Sequence, residues 1–196
     1  MTTRAATTTL VTGPVRSGKS RHAEDLVALH RDVLYVATGR PADQDDSAWA
    51  ERVRAHQRRR PDSWRTLETV DLDAALAGAS GPVLIDCLGT WLTGQVDLVG
   101  WDDLDRAAQH VRERSVSLVE SLCRASHPVV VVTNEVGWSL VPTTPSGRLF
   151  QDELGRLNAR VAQVAAAVHL VVAGRVLDLS GAPVVPESLP PRTLDA

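Results

Sequence analysis

Lysine is almost missing from this 196-residue chain. Lys19 is the only one; every other member of its 21 basic residues is arginine. Phenylalanine and tyrosine are as rare, at one each. Arginine and alanine are abundant, so the bias reads as GC-rich coding. A single arginine then carries little functional weight, and the retained lysine carries much. Cysteine is limited to Cys87 and Cys123, neither in a C-x-x-C pair. That excludes a disulfide-stapled scaffold and suits a reducing cytoplasm, with both thiols expected as small buried apolar groups. The longest apolar runs, such as "VVVV" at 129–132, are far too short to span a bilayer. The opening "MTTRAATTT" lacks the apolar stretch and cleavage site of a secretory leader. A net charge of −3 and a pI near 6.1 supply no basic field for non-specific nucleic-acid binding. These absences lead to an expectation of a cytoplasmic protein with no stable membrane insertion and no nucleic-acid partner.

What is present is alternation. Strands are expected at 8–13, 32–39, 63–68, 82–89 and 128–137, with a last strand or hairpin-like pair at 169–179. Helices are expected at 20–30, 47–60, 71–78, 101–125 and 147–168, and a polar loop at 40–47. Strands apolar at consecutive positions, separated by helices, predict an α/β fold: a mostly parallel open sheet with helices on both faces. Residues 1–179 form one domain in this reading, and 180–196 a Pro-rich tail. Ligands of such sheets bind beyond the carboxyl ends of the strands.

"GPVRSGKS", residues 13–20, falls between a strand and a helix and has the form of a P-loop. Gly13 and Gly18 permit the turn, and Pro14, Val15, Arg16 and Ser17 complete it. The helix that follows adds its N-terminal dipole. Lys19 is placed to reach the β- and γ-phosphates, and Ser20 to hold Mg²⁺. An ammonium is a compact charge on a flexible stem; a guanidinium is a wide planar fork that a tight loop excludes. Asp86, ending "VLID", is the candidate second Mg²⁺ ligand. Glu135, just past "VVVVTN", reads equally well as functional or as a loop carboxylate.

"RVRAHQRRRPDSWRTLE", residues 52–68, places His56 before Arg58, Arg59 and Arg60. Imidazole is a competent nucleophile toward phosphorus. On the residues alone, however, one histidine on a basic helix face reads first as a solvated side chain. Two further readings stay open here: a P-loop kinase for a small alcohol, with His56 inert, and a nucleotide-dependent switch.

Taken together, "LVTGPVRSGKSRHAE", "VLYVATG", "ERVRAHQRRRPDSWRTLE", "LIDCLGTWLT", "VVVTNEVGWSLVP" and "GRLNARVAQVAAAVHLVVAG" carry a resemblance. The chain resembles the bifunctional adenosylcobinamide kinase / adenosylcobinamide-phosphate guanylyltransferase family of cobalamin biosynthesis over roughly residues 9–175. The resemblance implies a RecA-like P-loop sheet and a homotrimer. It implies two reactions. A nucleoside triphosphate, ATP or GTP, phosphorylates adenosylcobinamide. GTP then guanylylates a histidine, and GMP passes to adenosylcobinamide phosphate. It puts the nucleophile at His56, reversing the reading from the residues alone. It implies nucleotide contacts at Gly13 to Ser20, at Ala37, Thr38 and Gly39, at Gln57, Arg58, Arg59 and Arg60, and at Glu68 and Asp86. Two positions depart from the family pattern: Ala55-His56 replaces two adjacent histidines, and Ser139 replaces a glycine in "GWSLVP". Trp138 is a candidate corrinoid contact, with a buried aromatic role the expected one.

Overall fold

The computed structural model describes residues 8–40, 51, 54, 58 and 60–185. Its strands are β1 (Thr8–Thr12), β2 (Leu34–Ala37), β3 (Arg65–Glu68), β4 (Val83–Asp86), β5 (Val129–Val132), β6 (Ala167–Val172) and β7 (Arg175–Asp178). Its helices are α1 (Lys19–Val27), α2 (Leu72–Ala77), α3 (Leu88–Val99), α4 (Leu104–Arg124) and α5 (Pro145–Val164). Glu51, Arg54 and Arg58 are also helical. The strands form one sheet in the order β3-β2-β4-β5-β1-β6-β7. All pairings are parallel except the β6–β7 hairpin. The expected open, mostly parallel P-loop sheet is therefore present, and 169–179 resolves as the hairpin.

Burial on both faces explains the continuous apolar strands. In β5, Val130 and Val132 pack with Val11, Ala23, Val27 and Tyr35 on the α1 side. Val129 and Val131 join Leu10, Val36, Ile85 and the residues of α2 to α5 on the other side. The helices start where polar side chains satisfy their first N–H groups. Asp103 accepts from Arg106 N at 3.0 Å to open α4, and Thr144 accepts from Gly147 N at 3.1 Å to open α5, with Pro145 at its start. Buried Glu153 of α5 accepts from Arg112 of α4 at 2.7 Å and from Arg156 at 2.6 Å, tying the two long helices together.

Helix α3 was not expected. "LGTWLTGQVDLV" runs straight on from a strand, and its two glycines and two threonines are weak helix formers. Its apolar positions nevertheless keep helical spacing: Leu88, Trp91, Leu92 and Val96 are all buried. Gly94 is required by packing, because a Cβ there would lie 2.6 Å from Val70 Cγ1. The helix is pinned to the same segment by Trp91 Nε1 and Gln95 Nε2, which both donate to Val70 O at 2.9 Å. The cysteine expectation is half corrected: Cys87 is partly covered, but Cys123 is exposed on α4.

His22 of α1 and His169 of β6 meet through Nε2 and Nδ1 at 2.9 Å. One ring donates and the other accepts, so the contact does not survive protonation of both. Burial, then the charge of His169, lowers the His22 pKa below its ordinary value, against an opposing pull from Asp25. The unfolded chain then binds a proton that the folded chain refuses. This contribution to stability is complete above the ordinary histidine pKa of about 6.5 and is lost as pH falls below it. Denaturant unfolding of His22→Gln should therefore lose less stability than the native sequence between about pH 7.5 and about pH 5.5. Parallel losses in the two proteins would refute the assignment.

Candidate active site

The phosphate loop is held from both sides. β1 ends at Thr12, and Gly13 follows with φ +154°. A Cβ on Gly13 would lie 2.2 Å from Val171 O, so no other residue fits there without moving β6. Glu135 N donates to Gly13 O at 3.1 Å from the β5 side, and Gly174 N donates to Ser17 O at 3.0 Å from the β6–β7 turn. Arg16 and Gly18 adopt positive φ, 62° and 98°. Gly18 caps α1, and no side chain among the described residues bonds to the cap, which leaves the first turn's N–H groups for an anion. Lys19 is buried, and its Nζ donates back to Pro14 O at 3.2 Å across the loop. Ser20 is half-buried in the first turn. Val15 and Arg16 are exposed at the tip.

Register aligns the remaining candidates. Ala37 pairs with Glu68 on one side and with Asp86 on the other, and Asp86 pairs with Val132. The ends of β3, β2, β4 and β5 therefore lie on one rung, beside the loop that follows β1. Tyr35 OH donates to Asp86 Oδ2 at 2.9 Å. The Arg60 guanidinium lies 3.4 Å from the centre of the Tyr35 ring, and its Nη1 donates to Thr66 Oγ1 at 3.1 Å. Thr12 Oγ1 donates to Glu135 Oε2 at 3.3 Å, bringing that carboxylate to the strand end between the loop and Asp86. Thr38 Oγ1 donates to Cys87 O at 2.7 Å and accepts from Cys87 N at 3.0 Å, locking the end of β2 to the start of α3. Burial, then the Asp86 charge, pushes the Cys87 thiol up, which keeps it protonated and unreactive.

A cavity of about 450 Å³ opens beyond β2 and β3. Thr38, Gly39 and Glu68 line it from the sheet, and Thr90, Thr93 and Asp97 from α3. Trp101 Nε1 donates to Asp97 Oδ1 at 2.6 Å and fixes that carboxylate. The α3 contribution was missed because the helix was missed. Its signal is a polar stripe at i, i+3 and i+7, beside the apolar one. Arg58 is helical and exposed. His56, Gln57 and Arg59 lie outside the described residues, so the structure assigns them no place.

The loop after β5 corrects another expectation. Trp138 is 62% exposed, with Leu140 and Val141 beside it in sequence also exposed. Gln151 Nε2 donates to Val136 O at 2.7 Å, and Arg148 donates to Pro142 O and Thr143 O at 3.0 Å. These contacts brace the loop from α5. Ser139 is not among the positive-φ residues, and its Oγ donates to Val136 O at 3.1 Å. The loss of a glycine there is thus without cost in backbone strain.

Comparison with known proteins adds the family. A model described as "Cobinamide kinase / cobinamide phosphate guanyltransferase" matches residues 9–179. The bifunctional adenosylcobalamin biosynthesis protein CobU of Escherichia coli strain K12 is 38% identical over 175 residues, covering 84% of this chain and 95% of that protein. The CobU protein of Salmonella typhimurium strain LT2 is 38% identical over 177 residues, with the same coverage. CobP of Pseudomonas aeruginosa PAO1 is 37% identical over 179 residues, covering 89% of this chain and 98% of that protein. Among solved structures, the P4 protein from bacteriophage phi6 in complex with ADP overlaps with a TM-score of 0.41 at 19% identity, covering 86% of this chain and 52% of that one. With its phosphate loop, its aligned strand ends and this match over nearly its whole length, the chain belongs to the cobinamide kinase / cobinamide phosphate guanyltransferase family.

Proposed function

We propose that one phosphate loop serves two consecutive group transfers. The observation that carries this reading is the shared rim: the loop and the 450 Å³ cavity lie along the same strand ends, with Asp86 between them. In the first transfer, the aminopropanol hydroxyl oxygen of adenosylcobinamide attacks the γ-phosphorus of a nucleoside triphosphate. The bond to the β-phosphate oxygen breaks, the nucleoside diphosphate leaves, and the hydroxyl proton passes to solvent water. This chemistry needs alignment and charge neutralisation more than covalent help. Lys19 and the first turn of α1 supply both.

In the second transfer, GTP lies with its β- and γ-phosphates in the loop and its guanosine toward Thr38, Gly39 and Glu68. A nitrogen of His56 attacks the α-phosphorus, and pyrophosphate leaves into the loop. An oxygen of adenosylcobinamide phosphate then attacks the same phosphorus and frees the histidine. Gln57, Arg58 and Arg59 follow the nucleophile in sequence; the two arginines bring positive charge to the triphosphate and Gln57 an uncharged amide donor.

Mg²⁺ fits this site. The Ser20 hydroxyl and the Asp86 carboxylate are the hard oxygen donors it takes, directly or through water, with phosphates completing the shell. When bound it neutralises phosphate charge in both transfers. The resemblance supports a homotrimer, and the two unpaired cysteines suit a cytoplasmic setting.

Incubation with α-labelled GTP, then denaturing electrophoresis, tests the covalent step. The native chain should hold an acid-labile, base-stable label. His56→Ala should hold none while still phosphorylating adenosylcobinamide. A labelled His56→Ala protein would overturn the assignment, and an unlabelled native chain would reduce the protein to a kinase. Lys19→Arg keeps the charge and changes its shape. Its kcat should fall by at least about tenfold in both transfers, since the loop excludes a planar fork. Near-native rates would mean that charge alone suffices.

A further inference from the structure

The Tyr35 side chain lies outside the mechanism above, yet it is buried at its centre. It is the chain's only tyrosine, packed with Val11, Ala23, Val27 and Leu84 under α1. Its hydroxyl reaches out of this apolar cluster to Asp86 Oδ2 at 2.9 Å. A carboxyl group on a short stem rotates broadly about its last torsion. A hydrogen bond from a ring locked by packing removes that freedom. A phenol is protonated throughout the neutral range, so the hydroxyl acts as the donor in this pair. The ring in turn is capped. The Arg60 guanidinium lies 3.4 Å from its centre and is anchored to Thr66 at 3.1 Å. A cation on the ring face is attracted to the π-system and strengthens the hydroxyl as a donor. The buried Arg60 Nε has no hydrogen-bond partner among the described residues.

We infer that Tyr35 is the positioning residue of Asp86, and that Arg60 is the strut that holds Tyr35 in place. The inference rests on the reading of Asp86 as the carboxylate facing the metal-bound phosphates. It changes the role expected for Arg60, whose guanidinium is committed to Tyr35 and Thr66 and acts on the phosphates through Asp86.

Mn²⁺ binding, followed by electron paramagnetic resonance with a non-transferable β,γ-methylene GTP, reads the inference without turnover. Tyr35→Phe keeps the ring and removes only the hydroxyl. It should weaken Mn²⁺ binding by about tenfold or more, the usual effect of losing a ligand's supporting partner. Its affinity for the analogue without metal should be unchanged. Arg60→Ala should weaken Mn²⁺ binding in the native background and add little to Tyr35→Phe, because both act through one hydrogen bond. Native Mn²⁺ affinity in Tyr35→Phe, or additive losses in the double variant, would overturn the inference. Absence of nucleotide-dependent Mn²⁺ binding in the native chain would instead overturn the reading of Asp86 and the inference with it. Should Tyr35→Phe lose its fold, Arg60→Ala still decides: unchanged Mn²⁺ binding there refutes the strut.

Discussion

The backbone contact between Gly13 and Val171 sets the terms for the whole site. A side chain at Gly13 would put a Cβ 2.2 Å from a carbonyl oxygen of β6. The loop leaves β1 through a glycine because β6 runs close on one side, while the chain beyond β5 bonds to Gly13 O on the other. The strand order is what brings both neighbours there. The β6–β7 turn adds a third hold through Ser17 O. The cradle is thus a wedge in the sheet, and the buried valines of β5 and β1 are its foundation. Loops that bind phosphate with backbone groups need such rigidity, because an amide that must reorganise stabilises charge less well.

From that wedge the other candidate site groups follow by register. Parallel pairing carries the end of β1 across to β5, β4, β2 and β3, so Glu135, Asp86, Thr38 and Glu68 reach the same rim from separate segments. Each is then fixed locally. Thr12 holds Glu135, Tyr35 holds Asp86, and Thr38 ties the end of β2 to the start of α3. The polar stripe of α3 closes the cavity on the far side of Asp86 from the loop. Two transfers that share one triphosphate-binding loop need a common phosphate position and separate room for what lies on either side. The rim offers both.

Much of this could be read from the chain. The phosphate loop, Asp86 and the strands were accessible because their signals are local: a glycine spacing, an apolar run, a carboxylate at its end. Helix α3 was not, because its threonines and glycines hide a helix whose stability comes from Trp91, Gln95 and Gly94 fitting against Val70. The exposure of Trp138 was also hidden, since it lies on a loop that Arg148 and Gln151 brace from the next helix. Tyr35 reads simply as an apolar strand residue until the sheet places Asp86 beside it. The role of His56 comes from family resemblance, and its chemistry is decided only by the covalent label.

The central claim is that a single loop holds the phosphates in both transfers. Inorganic tripolyphosphate carries the charge of a nucleotide without a base and measures this directly. Titrated against each reaction in turn, it should inhibit phosphorylation of adenosylcobinamide and guanylylation of the protein with one and the same inhibition constant, competitively with the nucleotide in both. Inhibition of one transfer with the other untouched would show two separate phosphate sites and contradict the account.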